Sequence, residues 1–307
     1  MIGVGYFGSR HVNKWSAISD VELAYVVDTD ADLARKTAKK FGCAAATDFR
    51  TVLGQVDVAS VATPTQFHFE IAHAMLTNGI HVLVEKPLTR TIDEADALVA
   101  AAEAKGLELR VGHLERFNPA LVAVRDRIVS PRFMECHRLA PFKPRSTDVD
   151  VVLDLMIHDL DIVLSLVSAP VTEVRANGVP VLTGNVDIAN ARVEFADGCV
   201  ANLTASRVST KSMRKLRVFS SDTYVSIDFE ARECAVVRKL AGEGRDGSPK
   251  LDHELKRFSE GDSLEAELRA FADAARGRGA PGATGREGRR ALELAAAVSH
   301  QVRARLK

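Results

Sequence analysis

The first half of the chain alternates short apolar runs with amphipathic stretches, as in β-strands followed by helices. Strands are predicted at 1–2, 21–27, 58–62, 80–84 and 107–111. Helices are predicted at 8–16, 31–41, 67–76 and 92–104. Repeated strand–helix units form a parallel, doubly wound sheet with its helices packed on both faces. We therefore predict such a sheet for residues 1–118.

From Asn118 onward the pattern changes to strands with few helices between them. After a short helix at 120–128, strands are predicted at 187–195, 199–206, 216–219, 224–229 and 234–240, and helices at 264–275 and 289–305. Asp197-Gly198, between two alternating runs, is a hairpin signal. The fold class is thus α/β, with the second domain, 119–307, an α+β domain around a large open, mainly antiparallel sheet.

Composition and charge narrow the class of protein. The 307 residues carry 41 basic and 41 acidic side chains, so no overall charge favours nucleic acid or an anionic membrane as partner. The four cysteines are far apart, which argues against zinc and against a disulfide framework. No run has the apolar length of a membrane helix, and no signal peptide is visible. We expect a cytoplasmic protein that holds no metal.

A glycine-rich turn, Gly3-Val4-Gly5-Tyr6-Phe7-Gly8, follows the first strand. In a dinucleotide-binding turn the first glycine makes the bend, the second allows close backbone approach to a pyrophosphate, and the third permits tight helix packing. The helix that follows would direct its N-terminus at the phosphates. We expect all three glycines, with Tyr6 and Phe7 between them, to contact a dinucleotide.

Asp28 ends the second strand, at the position of a carboxylate that accepts hydrogen bonds from the adenosine ribose. A carboxylate repels a 2′-phosphate, and Thr29 and Asp30 supply no cation, so NAD is favoured over NADP. One feature departs from the pattern, because only Met1 and Ile2 precede the turn. Either the start codon lies upstream or the first strand is unusually short.

Two further strand ends carry candidate cofactor residues. Thr63-Pro64 follows the third strand, and His68 comes one turn later, near where a nicotinamide would lie. His68 is interpreted as a helix cap in preference to a catalytic group. Glu85-Lys86 follows the fourth strand and precedes a proline, which directs the chain so that the lysine could project into the ligand crevice.

One predicted helix, 151–164, is apolar nearly all round and should be largely buried. Asp154, His158 and Asp161 nevertheless recur at helical spacing along one face. Burying these groups without partners would cost several kcal/mol. Three interpretations remain: a structural His–Asp pair, a metal site, or a general base at a polar crevice with Asp154 orienting His158.

Together these motifs resemble the Gfo/Idh/MocA family of oxidoreductases. The resemblance rests on Gly3-x-Gly5-x-x-Gly8, Asp28, Thr63-Pro64, Glu85-Lys86-Pro87 and Asp154-x-x-x-His158, in this order. It implies a Rossmann domain that binds NAD, and a second domain whose open sheet forms a homodimer or homotetramer. Lys86 would orient and polarise the reacting hydroxyl, and His158 would accept its proton with Asp154 beside it. Many relatives carry glycine in place of Met156.

Residues 112–119 and 137–145 resemble one branch of that family, the nucleotide-sugar 3-dehydrogenases acting on UDP-N-acetylglucosamine. The resemblance implies a 3-keto product that an aminotransferase converts to a 3-amino sugar for lipid A, the anchor of lipopolysaccharide. The substrate residues would then be Lys86, His113, Arg116, Asn118, Lys143, Arg145, Asp154 and His158. Arginine and lysine, here also Arg207, suit the two phosphates. Alternatively, Lys143 and Arg145 are ordinary loop cations.

Two other functions stay open at this stage. The same fold and chemistry would serve a dehydrogenase of a free sugar or of inositol. A non-catalytic, dinucleotide-binding regulator would be free to lose Lys86 or His158, but both residues are present.

Overall fold

The structure, a computed structural model, describes residues 1–143, 149–243 and 248–306. The chain divides into two compact units. The first unit consists of Met1–Phe117 and Asp262–Leu292, and the second of Asn118–Gly261 and Glu293–Lys307. The first break lies one residue from the predicted boundary at 118. The prediction differs at 262–292, which was assigned to the second domain but returns to the first unit.

The helices and strands are numbered along the chain. The helices are α1 (Gly8–Ala17), α2 (Ala31–Phe41), α3 (His68–Thr77), α4 (Ile92–Ala104), α5 (Pro119–Val122), α6 (Ile157–Leu166), α7 (Ser263–Ala275) and α8 (Gly285–Arg305). The strands are β1 (Tyr25–Val27), β2 (Ala44–Ala46), β3 (Val58–Val61), β4 (His81–Glu85), β5 (Leu109–Gly112), β6 (Phe133–Leu139), β7 (Val171–Val179), β8 (Ile188–Phe195), β9 (Val200–Ser206), β10 (Met213–Phe219), β11 (Thr223–Asp228), β12 (Glu233–Glu243), β13 (Pro249–Arg257) and β14 (Ala283–Thr284).

The first unit contains the predicted parallel sheet. Strands β3, β4 and β5 pair in parallel, β14 joins the edge of β5 antiparallel, and β1 pairs in parallel with β2. Ile2 forms parallel bridges to both Val27 and Val61 and so joins the two ladders. The backbone N–H of Ile2 donates to the Ser60 carbonyl at 2.8 Å. The short first strand therefore occupies the position between β1 and β3.

The returning segment is built into the core of the first unit. On α7, Leu268 and Phe271 are buried in one cluster with Trp15, Ile18 and Leu83. The sequence shows that α7 has an apolar face to bury, but the residues that cover this face lie between 185 and 256 positions earlier in the chain. Local pattern could not identify that partner.

The second unit contains one eight-stranded sheet in the order β13-β12-β11-β10-β6-β9-β8-β7. All neighbours are antiparallel except β6 and β9, which run parallel. Alternate residues of β8, among them Ala189, Ala191 and Val193, are buried, as the alternating sequence predicts. Helix α6 packs on β6 and β9. The predicted fold class is confirmed, and none of the described helices is both long and apolar enough to cross a bilayer.

Several elements differ from prediction. The helix expected at 151–164 begins as a π-helical turn, Val152–Met156, and continues as α6. The helix expected at 120–128 is the short α5 followed by a 3₁₀ turn, Arg125–Arg127. Strand β13 was not predicted, because it is an edge strand whose polar side chains are mostly exposed and show no inward-facing apolar alternation.

Candidate active site

The glycine-rich turn has the geometry expected of a phosphate-binding turn. Gly3 has a φ of 81°, and a Cβ there would lie 2.8 Å from the Ala62 carbonyl oxygen. A Cβ on Gly8 would lie 1.9 Å from the Gly3 carbonyl oxygen, so α1 packs directly on the turn. A Cβ on Gly5 would meet no atom within 4 Å. The turn is thus closed at Gly3 and Gly8 and open at Gly5, where a ligand can approach the backbone.

Asp28 lies beside this turn, at the end of β1. Its Oδ2 accepts a hydrogen bond from the backbone N–H of Val4 at 2.8 Å, and its Oδ1 accepts one from Asp30 at 3.0 Å. A carboxylate has further lone pairs available. Asp28 therefore fixes the turn while remaining able to accept hydrogen bonds from ribose hydroxyls.

His68 is the first residue of α3 and is 1% exposed. Its Nδ1 lies 2.9 Å from the Pro87 carbonyl oxygen, and its Nε2 lies 2.9 Å from the Thr63 carbonyl oxygen. The predicted helix cap is wrong, because the ring contacts these two carbonyls and α3 has no side-chain cap. The ring lies between the chain segments that follow β3 and β4.

Glu85 ends β4 and Lys86-Pro87 follows it, with a cis peptide bond before the proline and a half-buried Lys86. The Glu85 Oε1 lies 3.0 Å from Nε2 of His11, which is 1% exposed on α1. A Cβ on Gly112 would lie 2.7 Å from the same carboxylate oxygen, so the glycine makes room for it. Sequence reasoning missed His11; its place on the inward face of α1, three residues after the last turn glycine, was the available signal.

The two aromatic residues of the turn differ in the groups that they contact. Tyr6 is 66% exposed, and Arg10 stacks its guanidinium over the ring and donates to the hydroxyl at 2.6 Å. The Phe7 ring packs 5.4 Å from the His11 ring, centroid to centroid. Contacts of Tyr6 and Phe7 with a cofactor remain predictions.

These residues fit a dinucleotide. The Thr63 hydroxyl is buried and has no hydrogen-bond partner among the described residues, and the methyl group of the same side chain packs against Gly3. Gly5 leaves open space above the backbone. The Asp28 carboxylate is hydrogen-bonded to the Val4 N–H of the same turn. An open backbone and an acceptor for ribose are features of an NAD site, and the Thr63 hydroxyl adds a polar group without a partner.

In the second unit, Asp154 and His158 are both half-buried, in the π turn and the first turn of α6 respectively. Asp159 and Asp161 are 4% and 1% exposed. The three residues predicted to share one helix face are therefore not equivalent, because Asp161 is more deeply buried than Asp154 and His158. π turns inside helices are frequent at functional sites. Within the described ranges no group of three His, Cys, Asp or Glu side chains is placed to hold a metal ion.

A buried ion pair anchors α6 next to His158. On β6, Arg138 donates from Nη2 to the Asp159 Oδ1 at 2.8 Å and from Nε to the Asp159 Oδ2 at 3.1 Å, with both side chains about 95% buried. Sequence reasoning missed this pair. The available signal was an arginine on the inward-facing positions of an alternating strand, after Met134 and Cys136.

The arginines predicted to bind phosphate are engaged within the protein. Arg116, in the first unit, donates to the Glu287 Oε1 at 2.8 Å and is 6% exposed. Burial acts to raise the pKa of the Glu287 carboxyl, but the Arg116 charge and hydrogen bonds outweigh it and the pKa is lowered. Arg207 donates to the Val186 carbonyl at 3.2 Å and lies 3.5 Å from Asp187. Both arginines are thus paired within the protein, and their contact with a substrate stays a prediction.

The other predicted substrate residues are spread over both units. Asn118 is buried in the second unit, where its Oδ1 caps α5 and its Nδ2 donates to the Phe229 carbonyl at 3.0 Å. A contact of Asn118 with a substrate stays a prediction. His113 is 1% exposed just after β5, and Lys143 is exposed. Arg145 lies outside the described residues.

Family models match both parts of the chain. Residues 1–113 match "Oxidoreductase family, NAD-binding Rossmann fold", and residues 129–225 match "GFO/IDH/MocA C-terminal domain". The first match bears out NAD as the cofactor.

Three comparisons with individual proteins extend this result. UDP-N-acetylglucosamine 3-dehydrogenase from Acidithiobacillus ferrooxidans is 40% identical over 308 residues, covering 100% of this chain and 97% of the relative. The solved structure of that enzyme, GnnA, superposes with a TM-score of 0.91 at 39% identity, over 100% and 97% of the two chains. Myo-inositol 2-dehydrogenase from Thermotoga maritima is 26% identical, covering 96% and 92%.

Proposed function

This chain belongs to the Gfo/Idh/MocA family of oxidoreductases, and on that premise we propose that it oxidises the C3 hydroxyl of UDP-N-acetylglucosamine with NAD. The observation that carries the proposal is the 40% identity to a UDP-N-acetylglucosamine 3-dehydrogenase along the whole chain. The product would be a 3-keto nucleotide sugar, a precursor on the route to a 3-amino sugar and lipid A.

Oxidation of an alcohol removes a proton from oxygen and a hydride from carbon. His158 accepts the proton, because imidazole exchanges protons near neutral pH, and Asp154 about one helical turn away orients it. Lys86 donates a hydrogen bond to the same hydroxyl and stabilises the negative charge that develops on its oxygen. The Arg138–Asp159 pair supports His158 by fixing the start of α6 on β6.

NAD, when bound, would supply the hydride acceptor for C3. Gly3, Gly5 and Gly8 would hold its pyrophosphate, and Asp28 its adenosine ribose. The buried Thr63 hydroxyl would supply a further polar contact. The protein's own contribution is to position the hydroxyl, take its proton and exclude water.

Lys86→Met and His158→Ala test these roles. Each variant should lower kcat for UDP-N-acetylglucosamine by roughly 10²- to 10⁴-fold, because each removes a group acting on the reacting hydroxyl. The Kd of NAD, measured by calorimetry, should stay within about threefold, since neither side chain holds the pyrophosphate or the adenosine ribose.

Lys39→Met, on the exposed surface of α2, and His73→Ala, on α3, are the matched controls. Both should turn over like the parent enzyme. Near-normal turnover in Lys86→Met or in His158→Ala would contradict the assigned role of that residue.

A second candidate, a dehydrogenase of a free sugar or inositol, is favoured by one observation. Arg116 and Arg207 are both engaged by the protein, which leaves Lys143 and Arg145 among the cations assigned to the diphosphate. NADH formation measured with UDP-N-acetylglucosamine, N-acetylglucosamine and myo-inositol decides between them. Preference for either unphosphorylated substrate would overturn the nucleotide-sugar proposal.

The proposal includes the assembly and the location of the enzyme. One alternation of β6, β9 and β10 is mostly buried, and most of the other, including Glu135, Thr204 and Arg217, is half-buried or exposed. We propose that a second copy of the chain covers this outer face, giving a homodimer or homotetramer. A cytoplasmic location is part of the proposal, and it is consistent with four free cysteines.

A further inference from the structure

His68 joins two segments at the cofactor-facing edge of the sheet. Its ring is buried, and its two nitrogens lie equally close to main-chain carbonyls from different segments, Thr63 after β3 and Pro87 after β4. Strands β3 and β4 are neighbours in parallel register. The ring therefore links the two chain segments that follow these neighbouring strands.

The protonation state of the imidazole determines which of the two carbonyls accepts a hydrogen bond from it. A neutral ring carries one N–H and the cation two, so at least one carbonyl is hydrogen-bonded in every protonation state. After Pro87 the chain is closed off from solvent, with Leu88 and Thr89 1% and 0% exposed. Without His68, the Pro87 carbonyl would lose a partner where the chain is buried on its following side.

The residue between the two contacts is Lys86. On its N-terminal side, the Glu85 carboxylate contacts His11 of α1 and occupies the space that Gly112, having no side chain, leaves for it. On its C-terminal side, the Pro87 carbonyl contacts His68. The backbone of Lys86 is thus fixed from both sides by buried imidazoles.

We propose that His68 is a positioning residue for Lys86, acting through the Pro87 carbonyl, with His11 as the contact on the other side. This inference rests on the role of Lys86 given above. Positional errors near 1 Å at a reacting group reduce rates by about 100-fold, so loss of the His68 contact affects kcat more than substrate binding.

Three substitutions at His68 separate the two ring nitrogens. His68→Asn places an amide N–H near the position of Nδ1, facing Pro87, whereas His68→Gln places one near Nε2, facing Thr63. His68→Leu removes both donors. We expect kcat to fall about 30-fold in the Leu and Gln variants and less than about fivefold in the Asn variant, with KM changed less than about threefold. His73→Gln, on the same helix, is the control and should have parental kinetics.

Amide hydrogen exchange supplies a readout that is independent of turnover. Exchange at residues 88–91 should accelerate in the Leu and Gln variants, remain near the parental rate in the Asn variant, and be unchanged in α2 of all three. An Asn variant no better than the Leu variant, in kcat or in exchange, would overturn the inference.

A double-mutant cycle with Lys86→Met distinguishes failure of this inference from failure of the proposed function. If His68 acts through Lys86, His68→Leu should lower kcat little further in the Lys86→Met background. Full additivity of the two effects would overturn the positioning role alone. Parental turnover in Lys86→Met by itself would instead contradict the proposed role of Lys86.

Discussion

At the scale of single residues, the glycines of the glycine-rich turn are needed for different reasons. Gly8 is required by the protein, because any Cβ there would collide with the Gly3 carbonyl. Gly5 is not required by the protein, because open space surrounds the position of its Cβ. The need for glycine at position 5 must therefore come from the ligand.

The pair Gly5→Ala and Gly8→Ala tests this division. Gly5→Ala should leave the thermal unfolding midpoint unchanged or raised, since Gly-to-Ala changes at compatible sites stabilise by about 0.4–1 kcal/mol. Its affinity for NAD should fall at least about tenfold, as the methyl group occupies space needed by the pyrophosphate. Gly8→Ala should lose NAD affinity and also about 1–3 kcal/mol of stability or more.

Calorimetric titration with NAD and thermal unfolding monitored by circular dichroism measure both quantities. Undiminished NAD affinity in Gly5→Ala would show that the open space is not the pyrophosphate site.

The same scale shows why some site residues could be predicted and others could not. The turn glycines and Asp28 act within local motifs, so spacing alone located them. Arg116 and Asn118 contact Glu287 and Phe229, which are 171 and 111 positions away. No local pattern reveals that such partners already engage a polar side chain.

At the scale of elements, a single carboxylate organises the segment between β7 and β8. The Asp187 Oδ2 accepts backbone hydrogen bonds from Val181, Leu182 and Thr183 at 2.6–2.8 Å, and its Oδ1 accepts one from the Thr183 hydroxyl. Burial acts to raise the pKa of Asp187, but these hydrogen bonds outweigh it and lower the pKa to about 2. Ionised Asp187 therefore stabilises the folded segment.

Asp187→Asn should lower the free energy of unfolding at pH 7 by on the order of 2 kcal/mol. This is the free energy that corresponds to lowering a pKa from 3.8 to about 2. A carboxyl whose folded pKa lies below its unfolded pKa stabilises the protein above the unfolded value, 3.8, and loses that effect as the pH falls through the folded value. The difference between parent and variant should thus shrink as the pH falls from about 4 toward 2.

Urea unfolding at several pH values measures this difference, and Asp32→Asn, on the exposed surface of α2, is the control. A difference that is the same at pH 7 and pH 3 would contradict the assignment of the effect to ionised Asp187.

The boundaries of helices and strands could likewise be predicted only where they depend on residues close in sequence. Helix α4 begins and ends where predicted, because Thr91 caps it and its periodicity is unbroken. The π turn before α6 could not be predicted, because its sequence, Val-Leu-Asp-Leu-Met, suits an ordinary helix. The hydrogen-bond pattern there depends on how α6 packs on β6 and β9.

At the scale of the whole molecule, the outer face of the eight-stranded sheet is the surface that we propose joins the copies of the chain. The protein should have a mass in light scattering of two or four times the 33.2 kDa chain. Thr204→Arg, near the middle of this face, should reduce the mass to that of the single chain, because an unpaired charge would be buried between the copies.

Thr77→Arg, on the exposed end of α3, should leave the mass unchanged. A single-chain mass for the unaltered protein would contradict the proposed assembly.

The return of residues 262–292 to the first unit has a consequence for biosynthesis. When the ribosome has released the first 117 residues, the apolar face that Trp15 and Leu83 share with Phe271 is still uncovered. Translation of the intervening 118–261 segment takes on the order of ten seconds. The second unit also needs residues from 293 onward. Neither unit can complete its core during that interval. We therefore expect the nascent chain to bind chaperones that shield apolar surface.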